Sequence, residues 1–371
     1  MFIKKIKIKF LIEKIILNFQ YFLYYTKIKI FIILFLKKIK ILRTKKLKYP
    51  LLVHDLRDGH LTFDFIDTLL LANYWLKKMG YEKCDLIIGL FKEDIEVMKY
   101  RSYDLVINKE ELLERVDNVL LPYARSSNFI KNISLISDKK VFNKIINKGT
   151  IIYPPYYFHF EKYNFASRGE PLYTDKLLVE NKNDLMPFIN FLKPNIDLIN
   201  FLKKELKIST SDKIATFTIR DYKFEEIRNT NYKFLDELNE FFKNKGIRLI
   251  LIPDYKNLSP NTNIEVFKDA TCEGEKRIAI YHIAQINIGT AGGPVWSARY
   301  MKNVNMFVTN FAIEGNHTGS FSDLKKSFGR QFKYGAQPFL EFDMHLIYGP
   351  EDNISRLISN KRFNELLELN N

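Results

Sequence analysis

Sulfur is scarce in this chain: 371 residues hold two cysteines, Cys84 and Cys272, far apart and in no metal-binding or redox spacing. A disulfide framework and a thiolate zinc site are thereby excluded, and both cysteines sit beside predicted strands, where a thiol acts as a small buried hydrophobe. Glycine is also sparse, at 15 residues. No glycine-rich P-loop ending in Lys-Ser/Thr is present, nor is G-x-G-x-x-G, so ATP hydrolysis and nicotinamide chemistry lose their usual cradles. H-E-x-x-H, G-x-S-x-G and a D-x-D pair at a strand end are missing as well, which removes the footing for metalloprotease, serine-hydrolase and metal-dependent readings. No internal repeat of 20–50 residues occurs, so a solenoid is excluded.

What is abundant is lysine, and it is concentrated. The formal charge is +15, yet residues 1–48 alone hold fourteen Lys or Arg against one acid, Glu13. That segment carries +13, and 15 less 13 leaves +2 for the rest. A nearly neutral body lacks the basic face that a nucleic-acid backbone requires, so no nucleic-acid partner is expected. Within the segment Leu11, Ile12, Ile15, Ile16, Phe19, Phe22 and Leu23 recur at three to four residues, which aligns them on one helical face. The longest unbroken apolar run, Ile30 to Leu36, is seven residues, whereas a spanning helix needs roughly 20. No small-residue cleavage site follows it. Residues 1–48 therefore read as a basic amphipathic leader lying on an anionic membrane surface, with the protein peripheral on the inner face of the cell membrane and otherwise cytoplasmic.

From Tyr49 the pattern alternates short apolar runs with amphipathic helices, and the 46% apolar share is that of a folded chain. Strands are expected at Leu51–Leu56 and Asp85–Phe91, with a helix from Phe63 to Met79 ended by Gly80. Apolar runs at Asn118–Leu121, Ile133–Ile136 and Thr150–Tyr153 are expected to complete a first α/β unit. Tyr153 to Pro171 is rich in Tyr, Phe and Pro without period and suits a connection or lid. The second half repeats the alternation: strands at Lys213–Ile219, Gly246–Ile252, Ile264–Phe267, Ile286–Gly289 and Val304–Val308, and helices at Tyr232–Asn244, Glu275–Gln285 and Pro294–Met301. Strands separated by helices of this length build parallel sheets through right-handed crossovers. The expected fold is α/β with two Rossmann-like lobes, 49–190 and 191–371, behind the leader.

Three loops at strand carboxyl ends of the second lobe carry chemistry. Arg220-Asp221, continuing to Arg228-Asn229, places two guanidiniums and an acid past one strand, and guanidinium pairs bidentately with phosphate; an ordinary surface loop would look the same. Asp254 follows the next strand, where it either faces a cleft or caps a turn. Thr290-Ala-Gly292-Gly293-Pro294 is a strand, a turn of small residues, then a helix opened by Pro, a form that offers backbone N–H groups to an anion. Glycines there also serve close packing. Arg277 precedes this turn by one helix.

Taken together, Arg220-Asp221 with Arg228-Asn229, the R-x-A-x-Y-x-x-A helix (Arg277, Ala279, Tyr281, Ala284) and GTAGGP resemble the donor lobe of GT-B-type glycosyltransferases. More narrowly they resemble a bacterial branch found with surface-polysaccharide genes. The resemblance covers roughly 210–310, with a weaker echo at 51–91, and lacks the E-x-x-x-x-x-x-E nucleotide motif of better-known members. It implies a nucleotide-sugar donor in the second lobe, a glycan or glycolipid acceptor in the first, and no cofactor or metal beyond the donor itself. The transferred sugar would be of hexosyl or deoxyhexosyl type. Arg220 and the Gly292–Gly293 turn would meet the donor phosphates, with Asp221, Arg228, Asn229, Asp254, Arg277 and Thr290 around them. An inverting enzyme needs a base near the acceptor hydroxyl. His60 or Asp58, in the polar loop after the first strand, is the expected base, and Glu314 and His317 compete. A sugar-nucleotide epimerase-like enzyme and a non-catalytic polysaccharide-assembly protein are the other readings of the same scaffold.

Overall fold

The computed structural model describes residues 49–56, 61–91, 109–153, 158–160, 163–165, 182–221, 226–253, 262–313, 320–329 and 332–368. The leader, Asp58, His60, Asp254, Glu314 and His317 lie outside them. The described residues divide into two units that alternate along the chain: one takes those within 49–60, 68–109 and 129–170, the other those within 61–67, 110–128 and 171–371. The sequence alone points to one cut near residue 190, whereas the folded chain passes between its units several times.

The first unit is built on strands β1 (Leu51–Asp55), β2 (Cys84–Gly89), β3 (Ile130–Ile136) and β4 (Ile151–Tyr153). All pair in parallel, in the order β3-β2-β1-β4. Every residue of β1 is buried, as expected of a parallel strand covered on both faces. Helix α1 (Phe65–Lys78) ends where Gly80 turns left-handed at φ +76°. There the Gly80 N–H reaches the Lys77 carbonyl and the Tyr81 N–H reaches that of Leu76, a glycine-dependent helix stop. The hairpin of β5 (Phe158–Phe160) and β6 (Tyr163–Phe165) is antiparallel and falls in the stretch expected to be a connection.

One expectation fails here. The apolar run Asn118–Leu121, expected to help complete the first α/β unit, is helical and belongs to the second unit. Helix α2 (Lys109–Arg115) runs through a π turn, Val116–Leu120, into helix α3 (Leu121–Ser126). A four-residue apolar run cannot by itself separate strand from buried helix. The burial of Leu112, Val116, Val119, Leu120 and Tyr123 follows helical spacing.

In the second unit β7 (Lys213–Thr218), β8 (Ile247–Ile252), β9 (Glu265–Val266), β10 (Ile286–Thr290), β11 (Met306–Phe311) and β12 (Met344–Tyr348) form one six-stranded sheet. All neighbours are parallel, in the order β12-β11-β10-β7-β8-β9. The chain thus builds outward from β7 to one edge, returns, and builds outward from β10 to the other. Helix α4 (Tyr232–Asn244), capped by the Asn231 side chain on the Lys233 N–H, packs Phe234, Leu235, Leu238 and Phe242 against this sheet. Helix α5 (Gly274–Ile283) leads into β10.

Candidate functional site

The two oppositely wound halves of the second sheet part between β7 and β10, which lie side by side with Thr218 opposite Gly289. In open α/β sheets ligands bind outside the carboxyl ends of strands at such a reversal, because the flanking loops diverge there and leave a crevice. The loops that leave these two strands are those of Arg220 and of Thr290–Gly293.

Arg220 is fixed at both ends. Its backbone N–H donates to the Thr230 hydroxyl at 2.8 Å, and the Thr230 N–H returns a bond to the Arg220 carbonyl at 2.8 Å, closing the neck of the loop. Its Nη1 donates to Asn229 Oδ1 at 2.6 Å. Asn229 Nδ2 reaches Asp221 at 3.5 Å and the Tyr232 hydroxyl reaches it at 3.4 Å, both at the long limit of a hydrogen bond. Arg228 Nη2 donates to the Ala291 carbonyl at 3.0 Å, tying this loop to the turn after β10. A β-carbon on Gly292 would lie 3.5 Å from Arg220 Cδ, so the guanidinium stem passes directly over that turn.

Beneath these residues lies an acid absent from the sequence reading. Glu351, just past β12, is 4% exposed. Its Oε1 accepts from the hydroxyls of Thr290 at 2.8 Å and Thr309 at 2.5 Å, and its Oε2 from the Asn231 N–H at 2.9 Å. Its own carbonyl accepts from Asn231 Nδ2 at 2.6 Å. Burial pushes the carboxyl up from its ordinary value, while the Thr309 hydroxyl, the Asn231 N–H and the Thr290 hydroxyl pull against it. Thr290 and Thr230 share a 2.6 Å contact. Because Thr290 gives its proton to the carboxylate, Thr230 is the donor between them, which leaves the Thr230 oxygen to receive the Arg220 N–H. Asn310, left-handed at φ +56°, donates to the carbonyls of Arg228 and Asn229. Asparagine tolerates that conformation better than most residues, so the irregular end of β11 is used to hold the Arg228–Asn229 segment.

Arg277 is nearly inaccessible, at 1%. Its Nε donates to the Ala270 carbonyl at 3.0 Å and its Nη2 to that of Pro253 at 3.2 Å, while Nη1 has no hydrogen-bond partner among the described residues. The Phe63 ring lies 5.7 Å from its guanidinium carbon. Phe63 also explains Gly293, where a β-carbon would come within 3.0 Å of Phe63 Cβ and Cδ2. The close approach that requires this glycine is therefore made by an aromatic side chain.

A separate buried cluster joins Asp67 to Arg299 and Tyr300. Arg299 Nη2 meets Asp67 Oδ1 at 2.7 Å, and the Tyr300 hydroxyl donates to the same oxygen. The Arg299 guanidinium lies 5.0 Å from the Tyr300 ring and 5.6 Å from those of Trp296 and Phe339. Acid and base touch directly here, and both side chains are largely buried.

Of the residues singled out in the sequence, Arg220, Asp221, Arg228, Asn229, Thr290 and Gly292 gather at the strand reversal, while Gly293 and Arg277 meet through Phe63. Thr290 enters the frame rather than the crevice, its hydroxyl being spent on Glu351. The structure adds Thr230, Asn231, Thr309, Asn310 and Glu351. None of these residue types carries a chemistry of its own in the sequence, and Glu351 has meaning only once the end of β12 is known. Among the described residues no group of three His, Cys, Asp or Glu is placed to hold a metal ion, and no helix is long and apolar enough to cross a membrane.

No protein-family model matches the chain. No curated protein sequence matches it. Among solved structures it is similar to a family 9 glycosyl transferase from Veillonella parvula, at 13% identity and a TM-score of 0.49, over 87% of this chain and 99% of that one. It is also similar to the ADP-heptose LPS heptosyltransferase II of E. coli, at 8% identity and a TM-score of 0.41, over 86% and 97%. At such identities and scores the likeness carries no assignment of activity.

Proposed function

We propose that this protein is a GT-B-type glycosyltransferase that moves a sugar from a nucleotide-sugar donor to a cell-surface glycan or glycolipid. The observation that carries the reading is the meeting of Arg220 with the Gly292 turn at the β7–β10 reversal of a doubly wound sheet. A guanidinium and a turn of small residues at such a crevice suit a diphosphate, whose developing charge as leaving group needs fixed cationic and N–H partners. Arg228 and Asp221 border the same crevice, and Asn229 fixes the Arg220 guanidinium. Arg277 Nη1, which has no hydrogen-bond partner among the described residues, is a buried donor that an anionic group would satisfy. Thr290, Gly292 and Gly293 shape the turn, and Asp254 belongs to the next loop in this reading.

The acceptor is assigned to the first unit, with His60 or Asp58, at the carboxyl end of β1, as the base that takes the acceptor proton. In this reading the +13 carried by residues 1–48 favours the anionic inner face of the membrane, where a lipid-linked acceptor would be presented.

The test is turnover. The full-length chain, given a panel of nucleoside-diphosphate sugars, should release nucleoside diphosphate only when a glycan or glycolipid acceptor is added. Interconversion of the donor sugar without release would replace transfer with epimerisation, and release that ignores the acceptor would contradict the proposal.

A further inference from the structure

We propose that Glu351 is the positioning residue of the donor site, acting on Arg220 through Thr290, Thr230 and Asn231. The inference rests on the reading that Arg220 meets the donor diphosphate, but its structural half stands without a ligand. Glu351 does not reach substrate itself: among the described residues both carboxylate oxygens are taken, one by two hydroxyls and one by the Asn231 N–H.

What the carboxylate supplies is direction. Hydroxyls donate or accept, so a chain of threonines alone can run either way. Here both oxygens of Glu351 accept, one from two hydroxyls and one from an N–H. The acid obliges Thr290 and Thr309 to donate to it, so Thr290 presents a lone pair to Thr230, and Thr230 presents one to the Arg220 N–H at 2.8 Å. A second route starts from the same acid. Glu351 holds Asn231 by both its backbone N–H and its Nδ2, and two residues back Asn229 holds Arg220 Nη1 at 2.6 Å. Residues 229–231 thus set the backbone end and the guanidinium end of Arg220 at once, and Glu351 clamps that tripeptide to the ends of β10 and β11. Burying a carboxylate is costly unless its partners are well placed. A set of hydroxyls with an amide could fill the same space without that cost. The acid makes sense where one arrangement of Arg220 must be selected over others.

The experiment uses the full-length chain, the variants Glu351→Gln and Thr290→Val, and the double variant. Glutamine keeps the volume but turns one acceptor into a donor, so the wiring cannot close as it stands. Hydrogen exchange over residues 219–231 should quicken in both single variants, because the neck bonds of the loop open locally. Affinity for nucleoside diphosphates (ADP, UDP, GDP and CDP, by calorimetry) should fall about ten-fold in each, the worth of roughly one charged hydrogen bond. The double variant should lose no more than the worse single one, since residues on one chain do not add. A residue that merely stabilised the fold would lower the melting temperature and leave the affinity alone, and that result overturns the proposal. So do additive losses, or exchange over 219–231 equal to the parent's in Thr290→Val, the variant that decides if Glu351→Gln does not fold. If the parent binds no nucleoside diphosphate yet exchange still quickens, the positioning role of Glu351 stands and the donor reading falls.

Discussion

Two buried charge clusters in the second unit are built on opposite principles. At Asp67–Arg299–Tyr300 acid and base touch, and three aromatic rings surround the guanidinium. At the β7–β10 reversal the acid, Glu351, is kept from Arg220 by two threonines and spends itself on hydroxyls and an N–H. Direct pairing locks a fold together. Holding the carboxylate back orients the arginine through neutral hydrogen bonds rather than through direct contact with that acid. The contrast teaches where to look for function: at the buried cluster whose charges are arranged but not spent on each other.

The two clusters should therefore break differently. The largest effect on stability is expected at the first. Asp67→Ala leaves Arg299 buried without its acid, and removing one partner of such a pair costs about 3–5 kcal/mol. Urea denaturation should show that loss, while a full-length variant that still folds should keep parental affinity for nucleoside diphosphates. A smaller effect is expected at Gly293, where Gly293→Val forces a branched side chain against Phe63, an overpacking worth about 1–3 kcal/mol. Combining it with Phe63→Ala should recover much of the melting temperature, and a double variant no more stable than Gly293→Val would remove Phe63 as the reason for the glycine.

Part of this contrast was legible in the sequence. Helix Tyr232–Asn244 has the bounds its periodicity predicts, and the strand expected at Lys213–Ile219 ends one residue earlier, at Thr218. Those segments carry strong, long patterns. The final strand, Met344–Tyr348, went unread because five residues between turns give too little pattern to separate strand from buried helix. Missing it hid Glu351, whose meaning depends on where β12 ends. The arginines and the glycine turn were legible because their residue types carry a chemistry of their own. Thr230, Thr309 and Asn231 do not; only the fold brings residues 60 to 120 positions apart into one chain of hydrogen bonds.

The central claim is that Arg220 faces an anion of the substrate while the frame beneath it bears the structural load. Losing one charge-assisted hydrogen bond of about 1.5–3 kcal/mol weakens binding roughly ten- to a hundred-fold. A titration of the full-length parent and Arg220→Ala with nucleoside diphosphates, beside their melting curves, tests this most directly. The account predicts that loss of affinity with a nearly unchanged melting temperature. An Arg220→Ala protein that binds as tightly as its parent, or that simply unfolds, would contradict it.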